Sequence, residues 1–185
     1  MIIRLQPYYE TPRLWLILSH PGLTGPVTEY FCRNRQFLLE TEPTHTEDFF
    51  TARYQEAELR AATEEAQKLS GLRFWLTKKE TPERMIGMTA LNNIIWGPFR
   101  SCFLSYRLDK DEINRGYMTE AVEKCMEIAF KELKLHRLEA NIMPRNKPSR
   151  RVMEKLGFHY EGLARRYLHI NGKWEDHMHM VKLNE

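Results

Sequence analysis

The amino-acid sequence predicts a mixed α/β domain, a central sheet flanked by helices, and three observations carry that prediction. Apolar runs at strand spacing recur along the chain. Helical-period stretches, the clearest from Tyr117 to Leu133, alternate with them. Finally, 185 residues with 42% hydrophobic and 29% charged side chains supply one sizeable core, and no Pro/Gly/Ser-rich linker divides them, so a single domain over 1–185 is expected.

In chain order, Leu14-Trp15-Leu16-Ile17-Leu18 reads as a short buried strand, ended by His20-Pro21-Gly22. Two helical patterns follow. The first, from about Thr24 to Leu38, carries Val27, Tyr30, Phe31, Phe37 and Leu38, and the second runs from about Thr46 to Leu69 with Gly71 as its stop. The period then changes, because Arg73 to Thr77 and Ile86, Met88 and Ala90 stand at strand spacing around the polar turn Lys79 to Arg84, a hairpin. Cys102, Leu104, Tyr106 and Leu108 alternate with Phe103, Ser105 and Arg107, which is a strand with two differently employed faces. In the long helix, Met118, Val122, Cys125, Met126, Ala129 and Leu133 share a face. Leu138, Ala140 and Ile142 make a strand, and Asn146 caps a helix that tolerates Pro148 in its first turn and closes at Gly157. A hairpin ends the chain: Arg165 to Ile170 and Trp174 to Leu183 flank Asn171-Gly172, whose residues tolerate the positive φ of a two-residue turn.

Composition narrows the function classes. With 28 Lys plus Arg against 25 Asp plus Glu, the net charge of +3 is too mild to argue for sequence-specific nucleic-acid binding, so any anion site must be local. Cys32, Cys102 and Cys125 fit neither a disulfide framework nor a metal-ligand pattern, and the expected setting is a reducing cytoplasm. Leu14 to Leu18 is far shorter than a signal or membrane segment, so no membrane association is expected. His177 and His179 have no third ligand nearby in sequence, and no metal is expected. Oligomeric state is not encoded in any recognisable pattern.

Two stretches carry chemistry. Asn114-Arg115-Gly116-Tyr117-Met118-Thr119 joins the strand ending at Leu108 to the long helix. Free backbone N–H groups, the positive helix end, the close approach allowed by Gly116 and the charge of Arg115 suit a diphosphate. The second stretch runs from Pro144 through Asn146 and Ser149 to Phe158, with Arg145, Lys147, Arg150 and Arg151 forming a basic cluster.

Together these stretches resemble the GNAT superfamily of acyl-CoA-dependent N-acyltransferases, and within it the ribosomal-protein-alanine N-acetyltransferase subfamily. The resemblance spans about Thr11 to Met180. It shows in Thr11-Pro12-Arg13-Leu14-Trp15-Leu16, in Asn34 to Leu38 followed by Glu42-Pro43, in Gly116 to Ala121, and in His136 to Ala140 through Pro144, Asn146, Ser149 and Leu156-Gly157-Phe158 to Glu161-Gly162. It departs at Ile113-Asn114, where the family carries Gln or Arg at the loop start and glycine two residues before Gly116, and at Thr41, where the subfamily commonly has Trp.

The resemblance implies a mixed sheet with two parallel strands that splay apart, and acetyl-CoA as co-substrate. The diphosphate would rest on Asn114, Arg115, Gly116, Tyr117, Met118 and Thr119. The pantetheine arm would lie along Tyr106, Arg107 and Leu108 like an added strand, with Asn146 in contact with it. The implied reaction is direct acetyl transfer to a primary amine, with Glu42 taking or orienting the amine proton and Ser149 hydrogen-bonding the departing sulfur. Met153 stands where some relatives carry a catalytic tyrosine, and Asn141 stands where others carry a glutamate, so neither receives that role. The favoured acceptor is the N-terminal alanine or serine amine of a ribosomal protein. A small amine (polyamine, amino acid or antibiotic) is the alternative, and a coenzyme A-binding, ribosome-associated protein without turnover is the reading from another class.

Overall fold

The computed structural model describes residues 3, 5–39 and 42–185. Its frame is one eight-stranded sheet of β1 (Tyr8–Glu10), β2 (Leu14–Leu18), β3 (Leu72–Lys78), β4 (Thr81–Ile95), β5 (Ser101–Leu108), β6 (Arg137–Ile142), β7 (His159–Ile170) and β8 (Lys173–Leu183). The spatial order is β1-β2-β3-β4-β5-β6-β8-β7. Within it β5 and β6 run parallel, paired only at Ser101–Arg137, Cys102–Leu138 and Phe103–Glu139, whereas the other neighbours are antiparallel. Beyond Phe103 and Glu139 that ladder stops, which leaves the β6-facing edge of β5 open from Leu104 onward.

Strand alternation divides two cores across the sheet. Phe74, Leu76, Cys102 and Leu104 pack with α3 (Tyr117–Glu127) through Met118, Ala121, Val122 and Cys125, and with Met153 of α4 (Lys147–Lys155). On the opposite face Trp75, Met85, Met88 and Ala90 pack under α1 (Thr24–Leu38) through Val27, Tyr30, Phe31 and Leu38, and against Leu59 of α2 (Ala52–Gln67). Complete burial of one such side chain contributes about 1.5–3 kcal/mol.

Most predicted elements are present, with instructive differences. A strand precedes Leu14: β1 is too short to show periodicity, yet it pairs Tyr9 with Leu16. The segment predicted as one helix from Thr46 to Leu69 is broken, because Thr51 is extended (φ −96°, ψ 149°) between a 3-10 turn at Glu47–Phe50 and α2, whose Tyr54 amide its side chain caps. Gly71 is not the stop expected for that helix. Leu69 takes the left-handed conformation there (φ 51°). The Tyr117 to Leu133 helix keeps its buried face, but after Glu127 it widens into a π-turn over Ile128–Glu132, where the Leu133 amide reaches back to the Ile128 carbonyl at 3.0 Å. β7 begins at His159 rather than at Arg165, because the alternation of this exposed edge strand is not apolar. Asn171 and Gly172 adopt the predicted positive φ (49° and 81°), and Asn146 caps α4 by accepting the Ser149 amide at 3.2 Å. Among the described residues no helix is long and apolar enough to cross a membrane.

Candidate active site

The strand-to-helix loop after β5 is braced from three sides. At its start the Asp109 side chain is fully buried, 2.8 Å from Arg33 and 3.3 Å from Arg84, and it accepts the Asp111 amide at 3.0 Å. Burial pushes this carboxyl upward, but the Asp111 amide, Arg33 and Asn34 outweigh it and hold Asp109 below the usual carboxylate range. Glu112 is also buried, with Lys78 at 2.8 Å and Arg115 at 3.1 Å. The chain then turns into α3 through two left-handed residues, Asn114 (φ 61°) and Gly116 (φ 80°). Position 114 is where the resemblance calls for glycine, and asparagine is a side chain that tolerates this conformation, so the departure preserves the turn.

From the third side, Arg13 donates to the Arg115 carbonyl at 3.0 Å, pairs with Glu120 at 2.7 Å and lies over the Tyr117 ring at 4.5 Å. Thr11 donates to Glu120 at 2.6 Å. Burial raises the Glu120 carboxyl, but the Thr11 and Arg13 hydrogen bonds more than offset this, and its pKa is lowered. These contacts explain why Thr11-Pro12-Arg13 and Gly116 to Glu120 occur in one sequence. The Met118 side chain is buried in the core, so this residue presents backbone to the loop mouth, where the first turn of a helix has no intrahelical use for its N–H groups.

Beside the loop, β5 brings the two predicted catalytic residues to its opposite faces. Arg107, expected beside a pantetheine arm, turns its side chain toward α1. There it pairs with Glu42 at 2.7 Å and sits 5.6 Å over the Phe31 ring. His45 lies 3.8 Å from the same Glu42 oxygen and stacks on Phe49, with ring centroids 3.6 Å apart. Tyr106, one residue away and on the other face, places its hydroxyl 2.7 Å from the Ser149 hydroxyl and donates to the Ser149 carbonyl at 3.0 Å. Burial pushes the Tyr106 phenol well above its ordinary range, so it stays protonated as a donor. Leu108 packs against the α3-side core. Thr41 lies outside the described residues.

Two contacts escape the sequence analysis because neither has a local spacing. One is the Tyr106–Ser149 hydroxyl pair, 43 residues apart. The other is at Asn171, visible only as a turn residue, whose side chain hydrogen-bonds the segment around Glu42. The remaining candidates have other partners. His179 is 2.7 Å from Glu139 and His177 Nδ1 is 3.0 Å from the Glu175 carbonyl. Among the described residues no three His, Cys, Asp or Glu gather as metal ligands. Asn141 lies 3.5 Å from the Tyr167 hydroxyl. Cys102 and Cys125 are buried in the core, and burial pushes the Cys125 thiol up to about 12. In the basic cluster, Arg145 pairs with Glu175 and Arg150 with Glu154, while Lys147 and Arg151 are exposed.

This arrangement, an open edge on one of two parallel strands followed by a braced loop and a helix, matches a known family. The model of the acetyltransferase (GNAT) domain fits residues 25–159. The chain is a GNAT acetyltransferase. Among its relatives, a probable N-acetyltransferase of Bacillus subtilis, YjcK, is 41% identical over 151 residues, which are 82% of this chain and 83% of that protein. The ribosomal-protein-S5-alanine acetyltransferase of Vibrio fischeri superposes with a TM-score of 0.92 at 32% identity, covering 97% of this chain and 98% of its own. A RimJ from Mycobacterium smegmatis, solved in complex with a CoA-disulfide, shares the fold at 24% identity and a TM-score of 0.86, covering 92% and 81%.

Proposed function

We propose that this GNAT enzyme transfers acetyl from acetyl-CoA directly to a protein N-terminal α-amine, with alanine or serine of a ribosomal protein as acceptor. The observation that carries the reading is the division of labour at β5, with Glu42 and Arg107 on the α1 face and Tyr106 and Ser149 on the α4 face of one open strand edge. The diphosphate would sit on the amides of Asn114 to Thr119. The pantetheine amides would pair along Tyr106 to Leu108, and Asn146, by capping Ser149, would shape the far wall. The relatives solved as a ribosomal-protein-alanine acetyltransferase and with a coenzyme A disulfide support the acceptor and the donor respectively.

The chemistry asks little of the base. An α-amine has a pKa of ~8, so roughly a tenth is neutral at pH 7, whereas a lysine amine near ~10.4 is neutral less than about once in a thousand. In the proposed reaction the amine attacks the thioester carbonyl from the α1 face and gives its proton to the Glu42 carboxylate, which Arg107 holds in place. The C–S bond then breaks toward α4. The thiolate leaves hydrogen-bonded to the Ser149 hydroxyl, while the Tyr106 phenol holds Ser149 through its carbonyl. Cys102 and Cys125, buried and protonated, do not supply an acyl-accepting thiolate.

The test is intact-mass detection of acetyl transfer to peptides with free N-terminal Ala or Ser, beside N-terminally blocked lysine peptides and a polyamine. Acetylation of the free α-amines alone supports the reading. Transfer to the polyamine alone moves the function to small-amine acetylation, and coenzyme A binding without transfer to any of these acceptors overturns the N-terminal Ala or Ser assignment, leaves the acceptor open and favours the binding-protein reading.

A further inference from the structure

The tip of the β7–β8 hairpin does more than reverse the chain. The Asn171 side chain reaches across to the segment between α1 and the Glu47–Phe50 turn and makes four hydrogen bonds there. Its Nδ2 donates to the Leu39 carbonyl at 2.7 Å and to the Glu42 carbonyl at 3.1 Å, and its Oδ1 accepts from the Thr44 amide at 2.7 Å and the Thr44 hydroxyl at 2.8 Å. Both donor hydrogens and the acceptor oxygen of the amide are therefore committed to one short segment, more than 125 residues away in sequence. A two-residue turn requires only that this position tolerate positive φ, which Gly or Asp also does, so the turn does not account for the bonds.

We propose that Asn171 is a positioning residue for Glu42, a latch that holds the Glu42 segment against the hairpin and so fixes the carboxylate on Arg107. The inference rests on the assignment of Glu42 as the amine-side base. Glu42 is fixed at both ends. Its carboxylate is held by Arg107 from the sheet, and its carbonyl by Asn171 from the hairpin tip. Its own amide closes the end of α1 on the Leu38 carbonyl at 2.9 Å. Removal of the latch leaves the Arg107 pair as a tether on a loosened segment, so the carboxylate samples positions away from the attacking amine, where misplacement by about 1 Å can cost about a hundredfold.

Asn171→Gly removes the side chain and keeps the turn, because glycine adopts the same φ, and Asn171→Asp keeps the bonds from Thr44 while losing both donors. In the Gly variant, hydrogen exchange at the Glu42 amide is expected to rise at least about tenfold, while amides of β7 and β8 flanking the turn stay protected. Turnover of a free-N-terminus alanine peptide is expected to fall about tenfold with KM for acetyl-CoA unchanged, and the Asp variant to fall between. In a double-mutant cycle, Glu42→Gln is expected to cost several-fold less in the Asn171→Gly background than in the native chain. Unchanged exchange at Glu42 overturns the latch. Faster exchange with kcat losses that multiply independently overturns its action through Glu42. If Glu42→Gln alone leaves kcat at the native value, the base assignment fails, and with it the positioning role, whereas the exchange data still report separately on the latch.

Discussion

The Tyr106 hydroxyl shows how far a single residue can be read. Its place on a strand facing the α3-side core is legible from the alternation Cys102, Leu104, Tyr106, Leu108, but its 2.7 Å contact with Ser149 depends on where α4 docks, and no local pattern encodes that. Arg107 illustrates the same limit: strand period two assigns it to the opposite face, whereas its pairing with Glu42, 65 residues away, follows from the route of the chain after α1. Because the Tyr106 phenol orients Ser149 without itself ionising, Tyr106→Phe is expected to lower kcat about tenfold while leaving KM for acetyl-CoA within about twofold. Steady-state kinetics at saturating peptide check this. A proportional rise in KM with kcat intact would instead assign the tyrosine to donor binding.

At the scale of elements, what could be read from sequence was whatever period and punctuation encode. The Asn171-Gly172 turn, the Asn146 cap and the buried stripe of α3 follow directly from residue type and spacing. The break at Thr51 and the β1 strand did not, since a helix period continues across Thr51 and three residues are too few for alternation. The loop that would hold a diphosphate was visible as a motif, but its bracing by Arg13 and Glu120 joins segments 107 residues apart. Placement of β5 depends also on Gly87 of β4. A Cβ there would stand 2.5 Å from the Arg107 carbonyl and 3.1 Å from Leu108 Cδ1, so any side chain pushes apart the strand pair that aims Tyr106 and Arg107. Gly87→Ala is expected to destabilise the fold by about 1–3 kcal/mol in urea denaturation and to reduce kcat as well, whereas a control in the first turn of α1, Gly25→Ala, has open space and helical backbone and is expected to lose neither stability nor kcat.

For the whole molecule, the resemblance of long stretches carried the family, and the arrangement of the sheet explains why. One sheet separates two cores, and β5 is reached from both faces beside its open edge, by Glu42 after α1 at Arg107 and by Ser149 of α4 at Tyr106. The buried Asp109 cluster ties α1 to the end of β5 through Arg33 and to β4 through Arg84, and it links stability to pH. Its carboxyl is held below the unfolded value of ~3.9, so its contribution is complete above that value and is lost as pH falls through the folded pKa. Urea midpoints are therefore expected to fall steeply below about pH 4 in the native chain, with a shallower fall in Asp109→Asn. At neutral pH Asp109→Ala, which removes the buried carboxylate shared by Arg33 and Arg84 and leaves Arg33 with Glu29 and the Met85 carbonyl, is expected to cost about 1.5–3 kcal/mol.

The central claim is that β5 presents proton acceptor and sulfur partner from its two faces to one transition state. The most direct measurement is the initial rate of acetyl transfer to a free-N-terminus alanine peptide by the native chain, Glu42→Gln, Ser149→Ala and the double variant, with coenzyme A affinity measured alongside. The account predicts that each single variant loses about a hundredfold in kcat while binding coenzyme A as tightly as the native chain. A native rate in either single variant would contradict it.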